Sequence, residues 1–365
     1  MHLISLFSLL IPLSLSSPLL HSSITYRPTI SENARKLSGV DLTSFVNKQQ
    51  KLWRAETSRM TFQEKMARVK DIKFVRSHDE QDQETENSQV LLDIPTSFDS
   101  RQRWPGCSQI GAVRDQSDCG SAAHLVAVEI ASDRTCIFSN QTFNWPLSAQ
   151  DPLSCCVGLM SICGDGWGCD GSWPKDILKW WQTHGLCTGG NYDDQFGCKP
   201  YSIYPCDKKY PNGTTSVPCP GYHTPTCEDH CTSNISWPIA YKQDKHFGKP
   251  HYNVGKKMTD IQAEIMTNGP VIASFIIYDD FWDYKSGIYV HTAGDQEGGM
   301  DTKIIGWGVD NGVPYWLCVH QWGTDFGENG FVRFLRGVNE VNIEHQVLAA
   351  LPLFRTWINI IEKGN

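Results

Sequence analysis

VRDQSDCGSAAHLVAVEIASDRTC, residues 113–136, is the stretch that decides the fold. Its first half is polar and small, and Gly120 permits a tight turn. From Ala122 the character changes: Ala122, Ala123, Leu125, Val126, Ala127, Val128 and Ile130 leave almost no polar face. The pattern predicts a helix over 122–132 that is enclosed on all sides. A loop feeding the N-terminus of a buried helix is a frame for a nucleophile, because the helix dipole lowers a thiol's pKa there. The first residue of the helix, where such a group would stand, is an alanine.

Downstream, PKDILKWWQTHG (174–185) reads as a second helix with Pro174 at its start and Gly185 past its end. MTDIQAEIMTNGP (258–270) reads as a third, with Ile261, Ile265 and Met266 on one face. After residue 270 come strand-like segments: VIASFII, SGIYVH, KIIGWGV, VPYWLCVHQW and GFVRFLRG. A helical first half and a β-rich second half predict two lobes with a cleft between them.

Upstream, residues 24–90 contain no cysteine and carry many charges. Leu42, Phe45, Val46, Leu52 and Trp53 fall near helical spacing, and RSHDEQDQETENSQ (76–89) reads as an exposed acidic linker. The first 22 residues hold an apolar run of about 14 residues, too short to span a bilayer and suited to a signal peptide. No later run approaches the ~18 apolar residues of a membrane anchor. All 14 cysteines lie between Cys107 and Cys318, a density that implies oxidative pairing in the secretory pathway. Asn140, Asn212 and Asn234 head glycosylation sequons. The net charge of −8 and pI near 5.8 exclude a general attraction to nucleic acid or anionic membranes. A helical module, a cleavable linker and a disulfide-stapled domain are the layout of a secreted zymogen.

Several stretches together resemble the papain-type cysteine proteases, and specifically the cathepsin B group. They are RDQSDCGSAAHLVAVEIASDRTCI, CCVGLMSICGDGWGCDGSWP (155–174), CKPYSIYPC (198–206), YKQDKHFGK (241–249) and PYWLCVHQWGTDFGENGF (314–331). LTSFVNKQQKLWRAE (42–56) resembles the short propeptide of the same group. The resemblance implies an α+β, papain-like, two-lobed fold: a helical left lobe and a β-barrel-like right lobe behind an N-terminal propeptide. It divides the chain into a signal peptide (1–22), propeptide and linker (23–90) and a cathepsin B-like domain (91–365) with an occluding loop at about 198–231.

Papain chemistry needs a thiolate at a helix N-terminus, an imidazole from the opposite lobe, an amide to orient it and an oxyanion hole. The family's second cysteine of C-G-S-C-W corresponds to Ala122. Its histidine, which follows Gly-Gly and precedes the strand ending Gly-Trp-Gly, corresponds to Met300. Its orienting asparagine corresponds to His320. The oxyanion glutamine remains as Gln116, either holding a peptide carbonyl or serving the fold alone. The insertion between Cys198 and Cys231 lengthens the span from Ala122 to Met300 beyond the ~130–150 residues usual for such enzymes. These positions imply a catalytically inactive homologue that binds peptides, inhibitors or matrix partners. Two alternatives stand beside it: an active cysteine-type peptidase with an unrecognised nucleophile, such as Ser121 paired with His124 across one helix turn, and an extracellular structural glycoprotein.

The resemblance also implies six disulfides: Cys107–Cys136, Cys119–Cys169, Cys155–Cys227, Cys156–Cys163, Cys198–Cys231 and Cys206–Cys219. Cys187 and Cys318 are left over, as a seventh bridge or as buried thiols. A zinc site from Cys227, Cys231, His223 and His230 is the metal alternative, disfavoured by the oxidising context, so neither metal nor other cofactor is expected. For substrate-like contacts the resemblance offers Gly171, Ser172, Glu344 as a pocket floor, and Lys208 and Lys209 where cathepsin B has a carboxylate-binding His-His pair. Ser172 replaces a glycine, which should narrow the groove. The partner expected is a peptide or protein in the interlobe cleft, in an extracellular or lysosomal setting.

Overall fold

The computed structural model describes residues 29–75, 93–158, 163–164, 166–192, 194–206, 219, 221, 223–255 and 257–354. The signal peptide, the acidic linker, Lys208, Lys209 and Asn212 lie outside the described residues.

Five helices and an edge strand frame the site. Helix α1 spans Gly39–Gln49, α2 Phe62–Arg68, α3 Ala122–Phe138, α4 Pro174–Thr183 and α5 Met258–Asn268, and strand β1 spans Trp53–Ala55. The predicted helix at 122–132 continues to Phe138 because its polar end is buried and paired. Lys303 Nζ reaches Asp133 at 3.0 Å and Glu129 at 3.6 Å, while Arg134 pairs with Glu264 of α5 at 2.9 Å. Buried charges need such partners, so these ion pairs cross from α3 to the right lobe and fix how the lobes meet. On the left-lobe side α3 packs through Leu125, Val126 and Ile130 against Ile177, Leu178 and Trp181 of α4.

The right lobe is a nine-stranded sheet. After β1 come β2 (Phe98–Asp99), β3 (Tyr252–Val254), β4 (Val271–Tyr278), β5 (Tyr284–Tyr289), β6 (Gln296–Asp310), β7 (Val313–Val319), β8 (Phe331–Leu335) and β9 (Val347–Ala349). The order is β1-β5-β8-β7-β6-β4-β9-β3, with β2 added on β6. All neighbours are antiparallel except β5 and β8. Strand β4 is buried along nearly its whole length, which explains its unbroken apolar text rather than an alternating one.

The N-terminal module docks on this lobe. Leu42 and Val46 of α1 are buried in its core, each contributing roughly 1.5–3 kcal/mol. Leu52 and Trp53, which the spacing places on the same helix, instead leave it: Trp53 opens β1, which extends the sheet as an edge strand on β5. Edge strands offer unpaired N–H and C=O groups, and β1 satisfies them. Gly287 allows the approach, since a Cβ there would lie 2.4 Å from the Leu52 carbonyl oxygen. Thr43 and Ser58 both donate to Asp283 and close the join.

Candidate functional site

The cleft begins at the N-terminus of α3. Ala122 is its first residue and lies in the same apolar cluster as Met300, Trp322 and Phe326. Ser121 is buried, and its hydroxyl shares a 2.7 Å hydrogen bond with the Tyr201 hydroxyl. His124 is completely buried with both ring nitrogens unpartnered among the described residues. Burial, helped by the nearby Lys70 ammonium, pushes its pKa down to about 3. The serine–histidine pair weighed from the sequence is therefore not formed.

Across the cleft, Met300 sits on β6 opposite Phe275 of β4, fully buried. His320 follows β7 and is boxed by aromatic rings: Trp322 at 4.4 Å, Phe326 at 5.3 Å, Phe281 at 5.4 Å and Phe275 at 6.0 Å. Neither ring nitrogen has a hydrogen-bond partner among the described residues. Burial, with the Arg68 guanidinium nearby, holds its pKa down to about 3, so the ring is neutral.

The chain's own residues 68–75 fill the groove between these walls. Gln116 donates its side-chain N–H groups to the carbonyl oxygens of Arg68 and Cys119, each at 2.7 Å. Lys70 pairs with Gly299 by a two-way backbone bridge, N–H to carbonyl at 3.1 and 2.9 Å. Gly171 (φ 112°) forms the facing wall, where a Cβ would lie 2.7 Å from the Lys70 Cβ. An extended segment is thus clamped between a left-lobe glycine and a right-lobe strand. The Lys70 side chain passes inward to Asp301, with Nζ 2.7 Å from both carboxylate oxygens, and Ser274 donates to the same carboxylate at 2.6 Å. Lys70 and Asp301 are both wholly buried, and burial is the largest influence on each: it lowers the ammonium's pKa and raises the carboxyl's, while the pairing opposes both shifts. Arg68 lies 3.8 Å from Asp115.

Other sequence-derived positions fall as follows. Ser172 is buried, its hydroxyl beside Gly166, where a Cβ would come within 3.0 Å of it. Glu344 does not present a free carboxylate: it accepts hydrogen bonds from the Trp316 indole at 2.8 Å and from the backbone N–H groups of Gly337 and Asn339. All six disulfides form, and Cys119–Cys169 ties the 119–121 loop to the strand of chain that ends at Gly171. Cys227 and Cys231 are both in disulfides, so the zinc alternative has no thiolates. Cys187 and Cys318 stand free and buried rather than bridged, and burial raises both thiol pKa values. Asn140 and Asn234 are exposed. A second cavity of about 400 Å³ flanks the groove, lined by Arg68, Asp115, Trp282, Trp322 and Phe326 among others.

Sequence reasoning missed Lys70, Asp301 and Ser274, because the first two stand 231 positions apart and each reads as an ordinary charge. One signal was present: a carboxylate directly follows Met300 in the Gly-Gly-Met stretch that the resemblance places at the cleft.

This architecture is that of the papain-like proteases in their precursor form. The description "Papain family cysteine protease" matches residues 94–351, and the chain belongs to that family. Within it, the chain is 47% identical over 321 residues to cathepsin B-like cysteine proteinase 5 of Caenorhabditis elegans, covering 87% of this chain and 92% of that protein. It is 48% identical over 314 residues to cathepsin B-like cysteine proteinase 4 of the same organism, covering 85% and 91%. The solved structure of proCathepsin B S9 from Trypanosoma congolense superposes with a TM-score of 0.72 at 30% identity, covering 86% of this chain and 98% of that one. Among the described residues no helix is long and apolar enough to cross a membrane.

Proposed function

We propose that this chain is a catalytically inactive cathepsin B-like homologue that works by holding an extended peptide or protein segment in its interlobe cleft. The observation that carries the reading is the hydrogen bond from Gln116 to the Arg68 carbonyl: the oxyanion donor grips a peptide bond with no nucleophile beside it. Supporting it, Ala122 offers only a methyl group at the helix N-terminus, and a thioether at Met300 carries no proton near neutral pH. Twelve of the fourteen cysteines are in disulfides, and the other two are buried with raised pKa values, the reverse of an activated thiolate. His320 occupies the place of the orienting amide but has nothing to orient. Six disulfides and the exposed Asn140 and Asn234 support a secreted or lysosomal glycoprotein whose residues 23–90 are propeptide and linker.

Loss of a catalytic nucleophile or base costs on the order of 10⁶ in rate in the subtilisin case. Protein cut within residues 76–92 should therefore show no turnover of a fluorogenic dipeptidyl substrate above the blank, and no labelling by a thiol-directed epoxide. Turnover that disappears on Ser121→Ala would overturn the reading. Ala122→Cys, Met300→His and His320→Asn together should bring epoxide labelling back.

A further inference from the structure

The proposed cleft is occupied by the chain itself, and the occupant shows what it selects. We propose that Asp301, backed by Ser274, is the floor of a pocket specific for a lysine-type ammonium, and that the ligand of this cleft is an extended peptide presenting one lysine at the place of Lys70. This inference rests on the peptide-holding reading above and names its ligand class.

The geometry supplies every part. The backbone bridge to Gly299 fixes register, so residue 70 alone points at Asp301. Both carboxylate oxygens stand 2.7 Å from one nitrogen, which suits a compact point charge. Ser274 fixes the carboxylate from behind. Asp301 and the Lys70 side chain are 0% and 1% exposed, so a neutral side chain in this place would leave a buried carboxylate without its counter-charge. Asp301 has no basic partner other than Lys70 among the described residues within ion-pair distance, so the pocket needs its cation from whatever lies in the groove. The floor belongs to β6, next to Met300, and is distinct from Glu344, whose carboxylate is held by Trp316 and the 337–339 backbone.

The test exchanges the prosegment of protein cut within residues 76–92 against fluorescent peptides of sequence MARVKDIKFV (66–75), carrying lysine, norleucine or glutamate at position 70. Fluorescence anisotropy should show the lysine peptide binding at least about tenfold tighter than norleucine, with glutamate weakest. In Asp301→Asn protein the lysine preference should vanish. Norleucine equal to or better than lysine on wild-type protein would overturn the pocket, and that arm needs no substitution in the protein. So would a lysine preference unchanged by Asp301→Asn. If that variant does not fold, Lys70→Ala in the full chain takes its place: n-butylammonium should raise its melting temperature saturably, and n-butanol should not. Equal effects of the two would count against the pocket. Mass spectrometry of the same samples separates the two readings. Cleaved peptide would sink the inert cleft while leaving a lysine preference standing, and intact peptide with norleucine parity would do the reverse.

Discussion

Two polar side chains face one groove and fare differently. Gln116, from the left-lobe loop, has both N–H groups engaged on carbonyl oxygens. His320, from the right lobe, has neither nitrogen engaged and sits among aromatic rings. An amide donor is useful to any peptide that lies in the cleft, whether or not a bond is broken. An imidazole at this place is useful only beside a group to activate or orient, and without one it is a desolvated ring. The same contrast separates Lys70–Asp301, where burial is matched by pairing, from His124, where it is not.

The largest way to break the contrast is to unpair the matched site. Asp301→Ala alone should cost about 3–5 kcal/mol in urea denaturation, because it strands a buried ammonium. Lys70→Met with Asp301→Leu should recover most of that loss, since apolar replacement of a whole buried pair is often near neutral. A double variant as unstable as the single one would mean that packing rather than charge dominates there.

The unmatched site makes a smaller, pH-dependent prediction. His124 and His320 bind a proton near pH 3 when folded but near 6.5 when unfolded. The unfolded chain therefore takes up more protons as pH falls below 6.5, and stability is lost from there down toward pH 3. At pH 5 the loss is about 2 kcal/mol per histidine, at 1.36 kcal/mol per pH unit. His320→Phe should remove its share of this acid sensitivity, read as a flatter dependence of the unfolding midpoint between pH 7 and 5. An unchanged slope would place the acid sensitivity elsewhere.

The smallest effect is expected at Gln116. Gln116→Leu gives up two hydrogen bonds and should cost about 1–2 kcal/mol. In protein cut within residues 76–92 it should also speed release of the 29–75 segment, measured by size exclusion after dilution. Release at the wild-type rate would show that the grip on Arg68 is incidental.

Much of this was legible in the chain. The apolar text of 122–130 dictates a buried helix, because no face of it can be left in water. Cysteine density dictates stapling, and the text around residues 122, 300 and 320 carries the resemblance to the family on which the proposed reading rests. Local spacing puts Trp53 near a helix, whereas it opens a strand, because spacing cannot register the exposed sheet edge that residues 284–289 contribute. The resemblance makes Glu344 a pocket floor, and only folding brings to its carboxylate the indole and the two backbone N–H groups that engage it. The sequence by itself determined the buried helix, which follows from residue type at a local spacing, and through its resemblance to the family it implied the six pairings that the structure forms. Only the tertiary structure decided that residues 68–75 lie in the groove and that Lys70 meets Asp301. That contact joins two charges distant in the chain, and its strength comes from exclusion of water, which no local pattern records.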